Sequence, residues 1–233
     1  MVQQERAVRT RNALIESAAE LFGKYGFDVV SLSTISTRAG VSNGALHFHF
    51  ASKAALATAV WEAAAQRLRR ITNEGAARGQ AAGCGGSLQV LVDTTHALLR
   101  GLRHDVILRA GFDLSENPVP VAPVADLRRR WQAWVESLLV QAAREGALAR
   151  DVAPQDAAHA VVAATVGFGS LGSRNAQWLS QTMLTRFWSL LLPRLATEPT
   201  LKELVASGRR RETAPEPRIH TTTPPRFLAR QSA

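Results

Sequence analysis

The chain has 233 residues, 46% apolar and 20% charged, with a formal net charge of +9. That balance is globular rather than fibrous or disordered, and the length allows one large or two modest domains. No run approaches the roughly 18 apolar residues of a membrane span, Met1-Val2-Gln3-Gln4-Glu5-Arg6 lacks a signal peptide's apolar stretch, and a lone cysteine, Cys84, excludes a disulfide framework and multi-cysteine zinc sites.

Apolar residues recur at helical spacing and no strand alternation stands out, so the fold class is all-α. Leu14, Ile15, Ala18, Leu21, Phe22 and Tyr25 line one face of a first helix that Gly26 ends. A short helix is predicted from Leu32 to Ala39 with Ser31 as its N-cap, and another, capped by Ser42, through Phe50. Gly40 makes the turn between them. Ser52 is placed to cap a long fourth helix carrying Leu56, Val60, Trp61, Ala64 and Leu68. Gly75 to Ser87 holds five glycines and reads as a mobile loop or helix break. Helical spacing resumes from Leu88 to Leu102, and a short segment from Asp105 to Leu114 precedes the proline-broken stretch from Asn117 to Pro123. Further helices are predicted over Val124 to Glu145, Pro154 to Gly172 and Ala176 to Leu195. From Thr197 the chain has five of its ten prolines and few apolar residues, and reads as a disordered basic tail.

The informative stretch is Ser31 to Lys53, SLSTISTRAGVSNGALHFHFASK. Two short helices about a glycine turn match a helix-turn-helix, whose second helix enters the DNA major groove. Leu32, Ile35 and Ala39 can pack on Val41, Leu46 and Phe50. Asn43, Gly44, Ala45, His47 and His49 are left for the outer face, and the small Gly44 and Ala45 let the backbone approach base edges. Basicity adds little to this. Residues 1–53 carry 6 Lys/Arg against 4 Asp/Glu and residues 198–233 carry 7 against 4, so the excess marks no single segment. His47 and His49, at i and i+2, face different sides of a helix and make no metal pair. No nucleophile elbow, glycine-rich phosphate loop or HExxH pattern supports an enzyme.

Ala19-Glu20-Leu21-Phe22-Gly23-Lys24-Tyr25-Gly26-Phe27, Ile35, Ala39-Gly40-Val41-Ser42, Gly44, Leu46, His49-Phe50 and Ser52-Lys53-Ala54-Ala55-Leu56 together resemble the TetR family of bacterial transcriptional regulators. The resemblance implies that Asn43, Gly44, Ala45 and His47 face the major groove. It implies that His49 and Lys53 hold phosphates, and that Arg9, Thr10 and Arg11 reach phosphates or the minor groove. The family usually has tyrosine where this chain has His47, so operator affinity is expected to vary with pH. The implied division is a DNA-binding helix-turn-helix domain over 1–53, a ligand-binding and dimerisation domain over 54–196, and the tail over 197–233.

The phrase Gly44-Ala45-Leu46 leading into Phe48-His49-Phe50, the segment Leu108 to Leu114, and a tryptophan about 15 residues before Gly146-Ala147-Leu148 are similar to the γ-butyrolactone receptor branch of actinomycetes. In that branch a tryptophan overlies the pocket for a small signal; Trp131 is the first match and Trp134 the second. Thr165, Gln89 and Thr95 are further candidate ligand contacts. The resemblance implies a homodimer paired through its last two helices, a near-palindromic double-stranded operator, a small-molecule inducer that releases the repressor, no cofactor, no membrane and a cytoplasmic location. The alternative is a pseudo-receptor of the same branch that responds to antibiotics or biosynthetic intermediates.

Overall fold

The computed structural model describes residues 2–81, 86–116 and 126–209. Among them the fold is helical, with one isolated bridge between Leu148 and Ala196. Helix α1 (Val2–Tyr25) ends at Gly26, whose φ of 84° is open to glycine at little cost. Arg9, Thr10 and Arg11 lie within this helix, in its first half. Helix α2 (Leu32–Arg38) starts where the Ser31 hydroxyl accepts the Thr34 N–H at 3.1 Å. Helix α3 (Asn43–His49) starts where the Ser42 hydroxyl accepts the Ala45 N–H, also at 3.1 Å. Gly40, with φ 67°, turns the chain between them. Leu14, Ala18, Ile35, Leu46, Phe50 and Leu56 are fully or almost fully buried together, which fixes the angle of α3 against α1 and α2.

Helix α4 (Lys53–Ala81) begins with the Ser52 hydroxyl accepting the Ala55 N–H and runs on through Gly75, where the sequence suggested a loop. The glycine there serves packing: a Cβ on Gly75 would overlap the Thr94 side chain of α5 (Gly86–His104). Residues 82–85 of the expected loop lie outside the described residues. Helix α5 is the centre of the larger layer, buried from Ser87 to His96. Around it pack α6 (Val106–Glu116), α7 (Leu127–Arg144) and α8 (Pro154–Gly172). The stretch predicted as one helix from Ala176 to Leu195 is broken. A 3-10 turn (Ala176–Leu179) ends at Ser180, whose hydroxyl caps α9 (Gln181–Leu195) at the Met183 N–H. The proline-broken stretch from Asn117 lies outside the described residues.

The first residues of the expected tail are packed. A single turn, α10 (Glu198–Leu201), follows Leu195, and the chain then runs along α5. The Gln89 side chain accepts the Val205 N–H at 2.8 Å and donates back to the Val205 carbonyl at 3.3 Å. Asp93 accepts the Arg209 N–H at 2.8 Å, and His96 Nε2–H donates to the Ala206 carbonyl at 3.0 Å. Buried polar groups on α5 need partners, and the backbone of 205–209 supplies them; composition carries no trace of this pairing. Residues 210–233 lie outside the described residues.

Candidate nucleic-acid interface and ligand cleft

Helix α3 turns Leu46 into the core and leaves an outward strip. Asn43, Gly44 and His47 are exposed and Ala45 and His49 half-buried. The Asn43 carbonyl oxygen accepts the Ser36 hydroxyl, which ties the side chain to α2 and leaves its amide N–H groups outward. A Cβ on Gly44 would meet only the Ser42 hydroxyl, at 3.8 Å. Nothing inside the protein demands a glycine there, so the space above it is open for whatever α3 faces.

Sequence reasoning missed Phe48, which is 82% exposed on the same helix, its ring edge-on to His49 at 5.2 Å. The signal was available: Leu46 and Phe50 are buried on either side of it, and i±2 neighbours lie nearly opposite on a helix. An exposed aromatic ring suits a thymine methyl. The residue expected to hold a phosphate from the start of α4, Lys53, is engaged internally. Its ammonium donates to the Phe27 and Asp28 carbonyls at 2.9 and 3.1 Å and lies 4.4 Å over the Phe27 ring. It fastens the turn between α1 and α2. On α1, Arg11 lies 5.3 Å over the Phe50 ring and Arg9 pairs loosely with Glu5 at 3.7 Å, while Thr10 is half-buried. Arg38 bonds Glu20 through two nitrogens at 2.6 and 2.8 Å, holding α2 on α1.

The second candidate site lies between α6, α7 and α8. Trp131 is fully buried, and its indole N–H donates to the Thr165 hydroxyl at 2.9 Å. Thr165 in turn donates to the Val161 carbonyl at 2.8 Å. Trp134 stacks on Trp131 with ring centroids 5.2 Å apart and 19° between planes. Beside Thr165 runs a narrow cleft walled by Leu102, Phe112, Val166 and Leu179, with Arg109, Asp113 and Arg128 also lining it. Only about 10 Å³ of it is wide enough for water, so an occupant must spread the helices. The structure thus brings Trp131, Trp134 and Thr165 together. Gln89 and Thr95 are elsewhere, since Gln89 grips Val205 and Thr95 accepts the Trp188 indole N–H at 2.8 Å. Each is buried among polar partners of its own, which the spacing of polar residues along α5 cannot reveal.

Helix α6 joins the two sites. It packs on α1 and on α4, and at Gly111 it approaches Ala64 of α4 so closely that a Cβ would overlap it. Asp113, which lines the cleft, also faces Gly23 of α1.

Residues 14–60, which span the second half of α1, all of α2 and α3 and the start of α4, match the family model for bacterial regulatory proteins of the tetR family. The chain is 30% identical to a solved γ-butyrolactone receptor (an ArpA-like protein) over 87% of this chain and 96% of that one, with a TM-score of 0.73. The chain belongs to the TetR family. The likeness to that receptor runs through both layers, so this TetR-family regulator is related to the butyrolactone receptors over nearly its whole described length. It is also 28% identical to the A-factor receptor protein of Streptomyces griseus over 213 residues, 90% of this chain and 72% of that one. CprB from Streptomyces coelicolor, a TetR-family protein solved in complex with its biological operator sequence, aligns at 29% identity with a TM-score of 0.71, covering 85% and 94% of the two chains. This is a family of transcriptional regulators, not of enzymes. None of the described helices is long and apolar enough to cross a membrane.

Proposed function

We propose that this chain is a dimeric, DNA-binding repressor that a small molecule releases from its operator, with 1–53 as the DNA-binding unit and 54–196 as the ligand-binding and dimerisation unit. The observation that carries the reading is the outward strip of α3. It combines Asn43 amide donors, the open space over Gly44, two histidine rings and an exposed Phe48, on a helix whose angle the buried Leu46 and Phe50 fix. Phosphate contacts position such a helix and base-edge contacts give it sequence preference. His47, His49 and the α1 arginines are the groups for the first task; Asn43, Gly44, Ala45 and Phe48 are those for the second.

The apolar faces of α8 and α9 support a two-fold dimer. Leu190 is 84% exposed and Leu171 also stands out, with Phe168, Phe187 and Leu191 only partly covered. Pairing these faces as a four-helix bundle sets two copies of α3 about 34–36 Å apart and asks for a near-palindromic operator. Working on chromosomal DNA, the dimer acts in the cytoplasm.

Release follows from the position of α6. A ligand that spreads the cleft displaces α6, and the close contact at Gly111 passes the motion to α4 and so to α3. The ligand must prefer the DNA-incompetent state, and moving the population from 99:1 to 1:99 takes about 5.5 kcal/mol of differential affinity. The Arg109 guanidinium lining the cleft favours the pseudo-receptor alternative over a neutral lactone as the natural signal.

The test is a gel-shift titration with a duplex selected from a random pool. We expect binding by a dimer, an affinity that falls steeply with salt, and release by a molecule that binds the pure protein. A monomer indifferent to every duplex at low salt overturns the reading; operator binding untouched by any bound ligand overturns the release step.

A further inference from the structure

The polar groups at the cleft are not equivalent. Trp131 gives its only N–H to Thr165, and Thr165 gives its only hydroxyl hydrogen to Val161, so neither offers a donor unless an existing buried bond breaks. Asp113 and Arg128 have partners within the protein, although the buried Nε of Arg128 donates no hydrogen bond. Arg109 differs. Its backbone N–H holds the start of α6 at Asp105, but its half-buried guanidinium has no hydrogen-bond or ion-pair partner among the described residues. A guanidinium offers five donors in a planar fork that matches a carboxylate. Of the remaining walls, Leu102, Phe112, Val166, Gly169 and Leu179 are apolar, and Ser170 adds an exposed hydroxyl. A cation without a partner at the rim of an apolar slot suits a ligand with a charged head and a short hydrocarbon body.

We propose that the cleft between α6, α7 and α8 takes a small amphiphilic carboxylate, its head held by the Arg109 guanidinium and its chain against Phe112, Val166 and Leu179. This deepens the ligand-release reading by naming the chemical class of the signal. It also accounts for how a head-group contact reaches DNA, because Arg109 stands on the helix that packs against both α1 and α4.

The experiment is isothermal titration of the full chain, at low and moderate salt, with three probes of equal chain length: octanoate, methyl octanoate and γ-octalactone. The expected result is that octanoate binds one equivalent per subunit at least tenfold more tightly than the ester or the lactone. That preference weakens with salt, disappears in Arg109→Gln and survives in part in Arg109→Lys. Equal binding of ester or lactone, no octanoate binding up to millimolar concentration, or an undiminished preference in Arg109→Gln overturns the proposal. Thermal unfolding and operator gel shifts of the Arg109→Gln protein run in parallel. With both unchanged, a lost preference reports on the cleft. If the wild type fails to bind DNA while still selecting octanoate, the repressor reading fails and the ligand class stands.

Discussion

Replacing Gly44 with alanine separates the needs of the protein from those of its partner. The added Cβ would lie 3.8 Å from the Ser42 hydroxyl, an ordinary contact, and would meet nothing else within 4 Å. Gly44 lies inside α3 with helical backbone, so the change removes a poor helix former and raises stability by up to about 1 kcal/mol. Against DNA the sign reverses. If α3 lies with its Gly44 face on the bases, the methyl group must displace a closely packed surface, and overpacking of that kind costs about 1–3 kcal/mol. That corresponds to a loss of roughly 5- to 150-fold in operator affinity. Fluorescence anisotropy on a duplex selected by the wild-type protein measures the affinity, and urea denaturation of the same preparation measures the stability. A Gly44→Ala protein that is at least as stable as the parent yet binds the duplex within twofold of it would show that the open space over α3 is not where DNA lies.

Gly111→Ala should behave oppositely: its Cβ would overlap Ala64 and come within 2.8 Å of Leu127, so urea denaturation should show a loss of about 1–3 kcal/mol. Lys53→Ala removes two hydrogen bonds to the carbonyls of the α1–α2 turn, partly exposed, and should cost about 1–2 kcal/mol of stability with the salt slope of operator binding unchanged. Unchanged stability with that slope reduced by about one would instead assign Lys53 to a phosphate. Leu190→Arg puts a charge on a residue that is 84% exposed in the single chain; sedimentation should show a folded monomer and the gel shift a loss of binding.

The features legible in the sequence are those whose causes are local. Ser31, Ser42 and Ser52 each cap a helix because a hydroxyl reaches an N–H three residues on, a relation set by neighbours in the chain. Gly26 and Gly40 end helices at positive φ for the same kind of reason. The helical period also fixes which face of α3 is outward, and Phe48, two positions from the buried Leu46 and Phe50, falls on that face. Long-range contacts are another matter. Gly75 looks like a loop residue, yet its role is to let α4 lie against Thr94, nineteen positions away on another helix. Gln89 and Thr95 look like pocket polar groups, but their partners are Val205 and Trp188, and only the folded chain brings these within reach. Lys53 reads as a phosphate ligand from its place at the start of α4, and only the fold shows that its ammonium also donates to the Phe27 and Asp28 carbonyls. The cleft is a product of tertiary packing altogether: its walls come from α5, α6, α7, α8 and the 3-10 turn, and what sets the guanidinium of Arg109 apart from the other arginines without a partner is that the fold brings it to this cleft. Periodicity and capping are encoded over a few residues; partnership between side chains is decided by which surfaces the helices bury against one another.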